Sequence, residues 1–495
     1  MCLKTKLITN FIILTTSTIL VGLLDMATNA YITQKIGTTV LGSFSLIMNS
    51  FVFFITVSIA GIPLAITKLV SSYDENNDIS NLQYSNKIAQ ILSFIISSTV
   101  ALLVILFRKQ LNILLFNGMV SEKIIIILAG SLPFICLNAC FCGYFNALRK
   151  VNKPVIIDIF NHILKNSILI FLLKFKFSTF SSFALGIFIS EFLSFILSYI
   201  AYKRDVTKLQ TKISNVKLFT TLKTIFKIII PISFTSYIRS GLSTLKHTLI
   251  PLRLQKFGYS YQYALSRYGM IHGIALPFIL FPSLLINSFA SLILPEYSRY
   301  FATKSYGKIT NLTEKIFKNT IMISIYISFV IYLSSDVICM NLYKNSEVAF
   351  YVKILAPLIT IMYLDFIVDS ILKGLDLQVH VMKVNIIDLI ISIGLIFFVV
   401  PIFGSFGYII VIYASEFING FMSINQLLKT TSINFKYKDW LIFPIISSIF
   451  SFLISKMLTT QFSINYFTMF LQIIIFSSFY LLILFLLKSG QKNKK

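Results

Sequence analysis

The sequence predicts an all-α polytopic membrane protein with about fourteen transmembrane helices. Of its 495 residues, 56% are hydrophobic and 12% are charged, whereas about 25% of the residues of a soluble domain are charged. The mean hydropathy of +0.84 agrees with this class. The apolar residues also form runs of about 20 residues or more, the length that a helix needs to cross a bilayer.

The apolar runs follow one another along the chain and are bounded by charged residues, Pro, Gly and Asn. The first run starts after Lys4 and Lys6. No small-residue cleavage pattern follows it, so we interpret it as a retained helix and not as a signal peptide. The fourteen predicted segments are 7–31, 43–71, 88–107, 123–147, 155–173, 179–202, 224–250, 266–295, 319–338, 350–372, 384–402, 405–427, 440–458 and 464–487.

The net charge of +25 does not indicate a nucleic-acid partner. The cations occupy short loops between apolar runs, where lysine and arginine set the orientation of a membrane protein. The basic stretches 203–223 and 296–318 and the C-terminal tail fall on the same side if the helix count is even. We therefore predict a multi-pass protein of the cytoplasmic membrane with both termini in the cytoplasm.

A weak internal repeat divides the chain. "VIIDIF" at 155–160 recurs as "NIIDLI" at 385–390, and "ISEFL" at 189–193 recurs as "ASEFI" at 414–418. Six helices separate each pair, so the two repeats have parallel topology, which is a transporter design with the substrate between the halves. The predicted domains are a six-helix bundle at 1–205, a basic cytoplasmic linker at 206–223, a second six-helix bundle at 224–430, and helices 13 and 14 with a basic tail at 431–495.

The seventh helix carries a polar stripe. Ser236, Arg239, Ser243 and Lys246 are spaced three, four and three residues apart and therefore share one helix face. A cation in the middle of a membrane helix costs about 2.5–3.5 kcal/mol on insertion scales, so such a face is expected to meet water or protein and not lipid. We predict that this stripe lines a hydrated cavity and binds a polar or anionic substrate.

The first helix has a matching stripe that includes Asp25 and Asn29. Because helices 1 and 7 hold corresponding places in the two repeats, we expect the two stripes to face each other across the pseudo-symmetry axis. Asp25 and Asn29 are therefore further candidates for substrate binding. The alternative is that Asp25 and Lys246 form an ion pair that only fixes helix packing.

The tenth helix carries Asp365, Asp369 and Lys373 at intervals of four residues, so they form one row along the helix. The row could bind a coupling ion or a proton. Equally, Lys373 could neutralise Asp369 while its ammonium group extends towards the membrane surface.

Motifs of enzyme chemistry are missing from the sequence. It contains no Walker A pattern, no GxSxG and no His or Cys cluster with metal-ligand spacing. We therefore expect a protein that is not an enzyme and that has no catalytic residues, no cofactor and no metal site.

Several motifs together resemble the stage V sporulation protein B family. They include "GIPLAITKLVSSY" at 61–73, "GYFNALRKVNKP" at 143–154 and "YGMIHGIALPFILFPSLLINSFASLILP" at 268–295. That family belongs with the polysaccharide and lipid-oligosaccharide flippases, in the superfamily that also holds the multidrug and toxic-compound extrusion transporters. The similarity extends from about residue 5 to residue 435.

The resemblance implies a V-shaped pair of six-helix bundles that works by alternating access. It also implies a cargo, an undecaprenyl-linked saccharide such as a precursor of peptidoglycan or spore cortex, or another polysaccharide unit. The partners would be this polyprenyl diphosphate, membrane lipids and cell-wall synthesis enzymes. Arg239 and Arg253 fall where the family places basic residues, so Arg253 joins the substrate-binding candidates. The chain departs from the family at Asp25, in a stretch where relatives commonly carry Arg, and at Asn161 and His162, where relatives tend to have Glu-Gln.

Two other functions are open. An ion-coupled multidrug antiporter of the same fold should have an acidic and aromatic cavity, and the acids of the tenth helix favour that function. The basic seventh helix favours an anionic cargo instead, because arginine donates paired hydrogen bonds to a diphosphate. A scaffold for cell-wall synthesis that transports nothing would not need its polar stripes.

Overall fold

The computed structural model describes residues 3–59, 61–76, 78–175, 177–207, 218–431, 433, 435–460, 462 and 465–492. The described residues form helices and short connections, with no strand among them. Thirteen of the described helices are long and apolar enough to cross a membrane, or fourteen if the bent pair Tyr261–Leu280 and Ser283–Ala302 is one span. The predicted all-α membrane fold with about fourteen spans is therefore confirmed.

The first half of the chain contains the helices α1 (Leu3–Ile36), α2 (Thr38–Ile59), α3 (Ile62–Glu75), α4 (Ile79–Leu106), α5 (Arg108–Phe116), α6 (Glu122–Ala147), α7 (Asn152–Lys174), α8 (Thr179–Val206) and α9 (Leu218–Lys256). The second half contains α10 (Tyr261–Tyr268), α11 (Leu276–Leu280), α12 (Ser283–Ala302), α13 (Tyr306–Ile338), α14 (Ser346–Leu355), α15 (Ile359–Gly374), α16 (Gln378–Phe398), α17 (Val400–Thr430), α18 (Phe443–Thr459) and α19 (Tyr466–Lys492). Short π-helical segments, Gly269–Ala275, Cys339–Tyr343 and Lys438–Ile442, extend some of these helices.

Some of the predicted segments are interrupted in the structure. The segment predicted at 43–71 breaks at Gly61, whose φ of 70° is in the left-handed region that favours glycine. Pro63 follows in the first turn of α3, where its missing N–H leaves no hydrogen bond unmade. The segment predicted at 266–295 bends by 57° near Pro282. The hydropathy of the sequence does not reveal such breaks, because they are caused by the backbone conformation of single residues.

The chain forms two compact units. The first contains Met1–Asp25 and Phe44–Thr248, and the second contains Met26–Ser43 and Leu249–Lys495. Each unit therefore includes part of α1 and part of α9, whereas the predicted domains separated at a linker, 206–223. The central residues of that linker, 208–217, lie outside the described residues.

The same packing recurs inside each unit. In the first unit, α6 packs against α3, α4 and α8; in the second, α15 packs against α12, α13 and α17. A Cβ atom at Gly143 would lie 2.7 Å from the carbonyl oxygen of Pro63, and one at Gly374 would lie 3.0 Å from that of Leu294. Both glycines thus allow a close helix contact, and about 230 residues separate them, as in the sequence repeat.

The last two helices, α18 and α19, pack against each other and against α13 of the second unit. The Tyr326 hydroxyl lies 2.7 Å from Ser477 Oγ, and the Tyr480 hydroxyl donates to the Met322 carbonyl at 3.1 Å. The two helices that have no counterpart in the repeat therefore extend the second unit.

Candidate functional site

One side of α9 is buried within the first unit. The Tyr237 hydroxyl donates to the carbonyl of Val57 at 3.2 Å, and Thr244 Oγ1 donates to the carbonyl of Asn49 at 3.3 Å. Between them, Ser240 Oγ contacts Thr56 Oγ1 at 3.3 Å. These bonds tie α9 to α2 and define which side of α9 is its packing side.

The predicted polar stripe lies next to this packing side, because Ser236 and Ser243 are four and three residues from Ser240. Arg239 is exposed, whereas Ser236, Ser243 and Lys246 are half-buried. Ser236 Oγ donates back to the Ile232 carbonyl at 2.9 Å, which satisfies the hydroxyl within the helix. Arg239 has no carboxylate within ion-pair distance among the described residues. Its guanidinium group can therefore bind an anion without first breaking a salt bridge.

Asp25 lies at the centre of a polar cluster between α1 and α7. Its Oδ1 atom is 3.3 Å from His162 Nδ1 and 3.5 Å from Lys165 Nζ, and it accepts a hydrogen bond from Asn166 Nδ2 at 3.2 Å. The carboxylate remains 40% exposed. Lys165 also lies 3.3 Å from the His162 ring nitrogen. The negative charge of Asp25 is therefore balanced locally by a lysine.

The sequence did not connect His162 and Lys165 with Asp25. The alternative paired Asp25 with Lys246, whereas the structure gives Asp25 its partners on α7. The available signal was the spacing of 162, 165 and 166, which puts all three side chains on one face of α7. That spacing does not identify the helix on which the partner carboxylate lies.

A second polar network adjoins this region of α7. Glu191 of α8 accepts hydrogen bonds from Asn161 Nδ2 at 2.9 Å and from Asn138 Nδ2 at 3.3 Å. The two amides come from α7 and α6, so Glu191 links three helices of the first unit.

Two predicted site residues belong to the second unit and have packing contacts there. Asn29 Nδ2 donates to the carbonyl of Gly273 at 3.4 Å, in the π-helical segment Gly269–Ala275. A π-bulge disturbs the regular backbone ladder and is frequent at functional sites. The Arg253 guanidinium lies over the Phe397 ring, 3.5 Å from its centroid. Arg253 thus belongs to the second unit and Arg239 to the first.

The acidic row of α15 has separate partners. Asp365 Oδ2 accepts from Asn419 Nδ2 of α17 at 3.0 Å, and Lys373 Nζ lies 3.4 Å from Asp369 Oδ2. The second contact is the pair that the alternative interpretation expected. The buried Oδ1 atom of Asp365 has no hydrogen-bond partner among the described residues.

A further acid of the second unit was not identified from the sequence. Asp388 Oδ1 accepts a hydrogen bond from Ser415 Oγ at 2.7 Å, which joins α16 to α17. Asp388 lies in the "NIIDLI" repeat and Ser415 in "ASEFI". The repeated motifs therefore contact each other inside the second unit.

The orientation of the α9 stripe can be tested with single cysteines. We expect Ser236→Cys and Ser243→Cys to react with a membrane-impermeant thiol reagent. Thr244→Cys should not react, because Thr244 is 6% exposed and lies on the packing side. The measurement is mass-tag labelling of each variant in membranes, in a background without the natural cysteines. Equal labelling of Ser243→Cys and Thr244→Cys would contradict the assignment of the two sides.

Comparison with known proteins shows similarity along most of the chain. The sequence profile described as polysaccharide biosynthesis protein matches residues 7–255. Stage V sporulation protein B of Bacillus subtilis (strain 168) is 19% identical over 434 residues, which cover 84% of this chain and 83% of that protein.

Solved structures show the same fold. A lipid II flippase, MurJ, in an inward closed conformation superposes with a TM-score of 0.73 at 15% identity, covering 95% of this chain and 98% of that one. An inward-facing multidrug resistance MATE family transporter of the MOP superfamily gives a TM-score of 0.64 at 13% identity, covering 83% and 93%. At these identities the likeness concerns the fold alone.

Proposed function

Since the chain belongs to the polysaccharide biosynthesis protein family, we propose that it is a flippase that moves an undecaprenyl-linked saccharide across the cytoplasmic membrane by alternating access. The family resemblance drawn from the motifs is confirmed by the family profile and by the sporulation protein relative. The fold is that of membrane transporters. The cargo, the mechanism and the cytoplasmic position of both termini are our proposals.

The observation that carries this proposal is the exposed Arg239 on a membrane-spanning helix. A cation without a counter-charge in the middle of a membrane helix is costly. A polyprenyl diphosphate has the charge that would balance it, and the planar guanidinium group can donate two parallel hydrogen bonds to phosphate oxygens. Ser236, Ser243 and Lys246 would add polar contacts along the same face of α9.

The cluster around Asp25 supports the same class of cargo. A carboxylate with a lysine 3.5 Å away is less available for an incoming organic cation than an isolated one. Because Lys165 offsets the negative charge of Asp25, we expect the exposed guanidinium group of Arg239 to attract an anion more strongly than Asp25 attracts a cation. This favours an anionic cargo over the cations that a drug antiporter commonly carries.

The proposal is tested by reconstituting the purified protein into liposomes that contain a fluorescent lipid-linked saccharide. We expect the protein to raise the rate at which an impermeant quencher or enzyme gains access to the head group. Native mass spectrometry of the same preparation should show a bound polyprenyl diphosphate. Reconstituted protein that gives no increase over protein-free liposomes, and that carries no such lipid, would contradict the proposal.

The second candidate, an ion-coupled multidrug antiporter, is favoured by one observation, the buried carboxylate of Asp365 with an oxygen that has no partner among the described residues. Under that function Asp365→Asn should abolish ion-driven efflux of a cationic dye. The flippase could use the same acid, with Asp369 and Lys373 beside it, to couple transport to an ion. Dye efflux distinguishes the candidates, since the flippase should not transport the dye.

A further inference from the structure

A groove with a cavity volume of about 480 Å³ lies between α13, α15 and α18 in the second unit. Phe329 and Tyr332 of α13 form one wall, and Ile445 of α18 forms the wall opposite. Between them lies Pro357, in the short 3-10 segment that joins α14 to α15. The helices that build this groove all belong to predicted membrane spans.

The groove is open along one side and apolar inside. Tyr332, Pro357 and Ile445 are exposed at its rim. Its lining is apolar except for Ser328, Thr360 and the Tyr332 hydroxyl. The Ser328 hydroxyl donates to the carbonyl of Ala356 at 2.8 Å, so its hydrogen bond is already made. Such a surface suits a hydrocarbon chain better than water or a polar head group.

Two lysines lie beyond one end of the groove. Lys318 of α13 is seven residues before Ile325, a lining residue, and therefore lies on the same helix face, about 10 Å away along the axis. Lys488 of α19 reaches the same face, since its Nζ atom is 3.5 Å from Met322 Sδ. The two ammonium groups are close enough for their charges to repel each other.

This end of the groove has more positive than negative charge. Asp439 faces Lys488 and lies two residues before Leu441, which lines the groove, so the lysines adjoin the start of α18. One aspartate balances only one of the two lysines. The neighbouring parts of α13 and of the segment before α18 add three lysines and one acid: Lys315, Lys436, Lys438 and Glu314.

The opposite end of the groove is electrically balanced. There Lys353 lies over the Tyr332 ring, 5.6 Å from its centroid, and its Nζ atom is 2.5 Å from Asp336 Oδ2. An anionic group is therefore attracted to the end with Lys318 and Lys488 and not to the end with Lys353.

We propose that this groove binds an anionic phospholipid of the membrane. One acyl chain lies between α13, α15 and α18, and the phosphate contacts Lys318 and Lys488. Basic sites between membrane helices are known to hold anionic lipid head groups, because lysine balances the phosphate charge near the membrane surface. The site adjoins the two helices that extend the second unit, so the lipid would bind beside α18 and α19.

The length of the groove favours a phospholipid over the polyprenyl chain of the proposed cargo. From Leu441 to Phe452 it follows α18 for about 16 Å, at 1.5 Å per residue. One leaflet of a bilayer has a hydrocarbon depth of about 15 Å, half of the usual core. An acyl chain of one leaflet therefore matches the groove, whereas an undecaprenyl chain is much longer than one leaflet.

The test is photo-crosslinking of the full-length protein in phosphatidylcholine nanodiscs that contain a small fraction of phosphatidylglycerol with a diazirine in its acyl chain. Peptide mass spectrometry locates the labelled residues. We expect the label on residues of the groove, such as Phe329 and Ile445. Phosphatidylcholine with the same diazirine chain should label them several-fold less, because its head group has no net charge.

Variants separate the lysines from the groove. Lys318→Gln combined with Lys488→Gln should lower labelling of the groove at least about tenfold, since each lysine adds to the attraction for an anionic lipid. Lys456→Gln is the matched control, because it removes an exposed lysine at the other end of α18 and should change nothing. If the double variant does not accumulate, Lys488→Gln alone should lower labelling in the same direction. Ile445→Trp should block the groove and remove the label from Phe329 with both lysines in place.

Three results would overturn the proposal. The first is equal labelling of the groove by the two diazirine lipids, and the second is labelling that the lysine variants do not reduce. The third is displacement of the phosphatidylglycerol probe by an equal concentration of undecaprenyl phosphate, which would assign the groove to the cargo. None of these measurements requires transport, so the lipid site and the flippase function succeed or fail separately.

Discussion

We expect Arg239→Ala to lower the rate of lipid-linked saccharide flipping by about 10- to 100-fold, because hydrogen bonds to a charged group contribute about 1.5–3 kcal/mol. Arg239 is exposed and has no ion-pair partner among the described residues, so its removal should leave folding unchanged. The measurement is the liposome flipping assay, normalised to the amount of reconstituted protein.

The controls for this prediction separate charge from geometry. Arg239→Lys keeps the charge but loses the planar fork, so it should restore only part of the rate. Thr244→Ala, on the packing side of the same helix, should have little effect on flipping beyond any loss of protein. A rate for Arg239→Ala equal to that of the unmodified protein would end the assignment of Arg239 to the diphosphate.

The largest effect on stability is expected at Gly42 and Gly269. A Cβ atom at Gly42 would overlap the carbonyl oxygen of Leu265, and one at Gly269 would overlap the carbonyl oxygen of Thr38. Overpacking costs about 1–3 kcal/mol and occasionally more. Here backbone atoms and not side chains would have to move, so Gly42→Ala and Gly269→Ala should each reach at least the upper part of that range. Thermal unfolding of detergent-solubilised protein, followed by size-exclusion chromatography, measures the loss.

Gly394 is the matched control, since it lies within helix α16 and a Cβ atom there would meet nothing within 4 Å. Gly394→Ala should be neutral or slightly stabilising, because alanine has the higher helix propensity. If Gly42→Ala melts at the same temperature as Gly394→Ala, the start of α2 does not pack against α10 and its π-helical extension as the structure shows.

Local properties of the chain were sufficient to predict the membrane fold. The length of an apolar run and the position of charges depend only on neighbouring residues, so about fourteen spans could be read from them. The repeat and the polar stripe of the seventh helix also followed from spacing. Helical periodicity placed Ser236, Arg239, Ser243 and Lys246 on one face, and in the structure the bonds to α2 are made by the neighbouring residues Tyr237, Ser240 and Thr244.

Contacts between distant residues were decided only by the tertiary structure. The sequence offered Lys246 as a partner for Asp25, whereas the folded chain brings Lys165 to it, 140 residues away. It also did not show that residues 26–43 pack with the second unit. Charge and hydropathy indicate which side chains need a partner. Which residue becomes that partner depends on where helix backbones come into close contact. Those approaches are set by single glycines such as Gly42 and Gly269, whose missing side chains leave no pattern in a hydropathy profile.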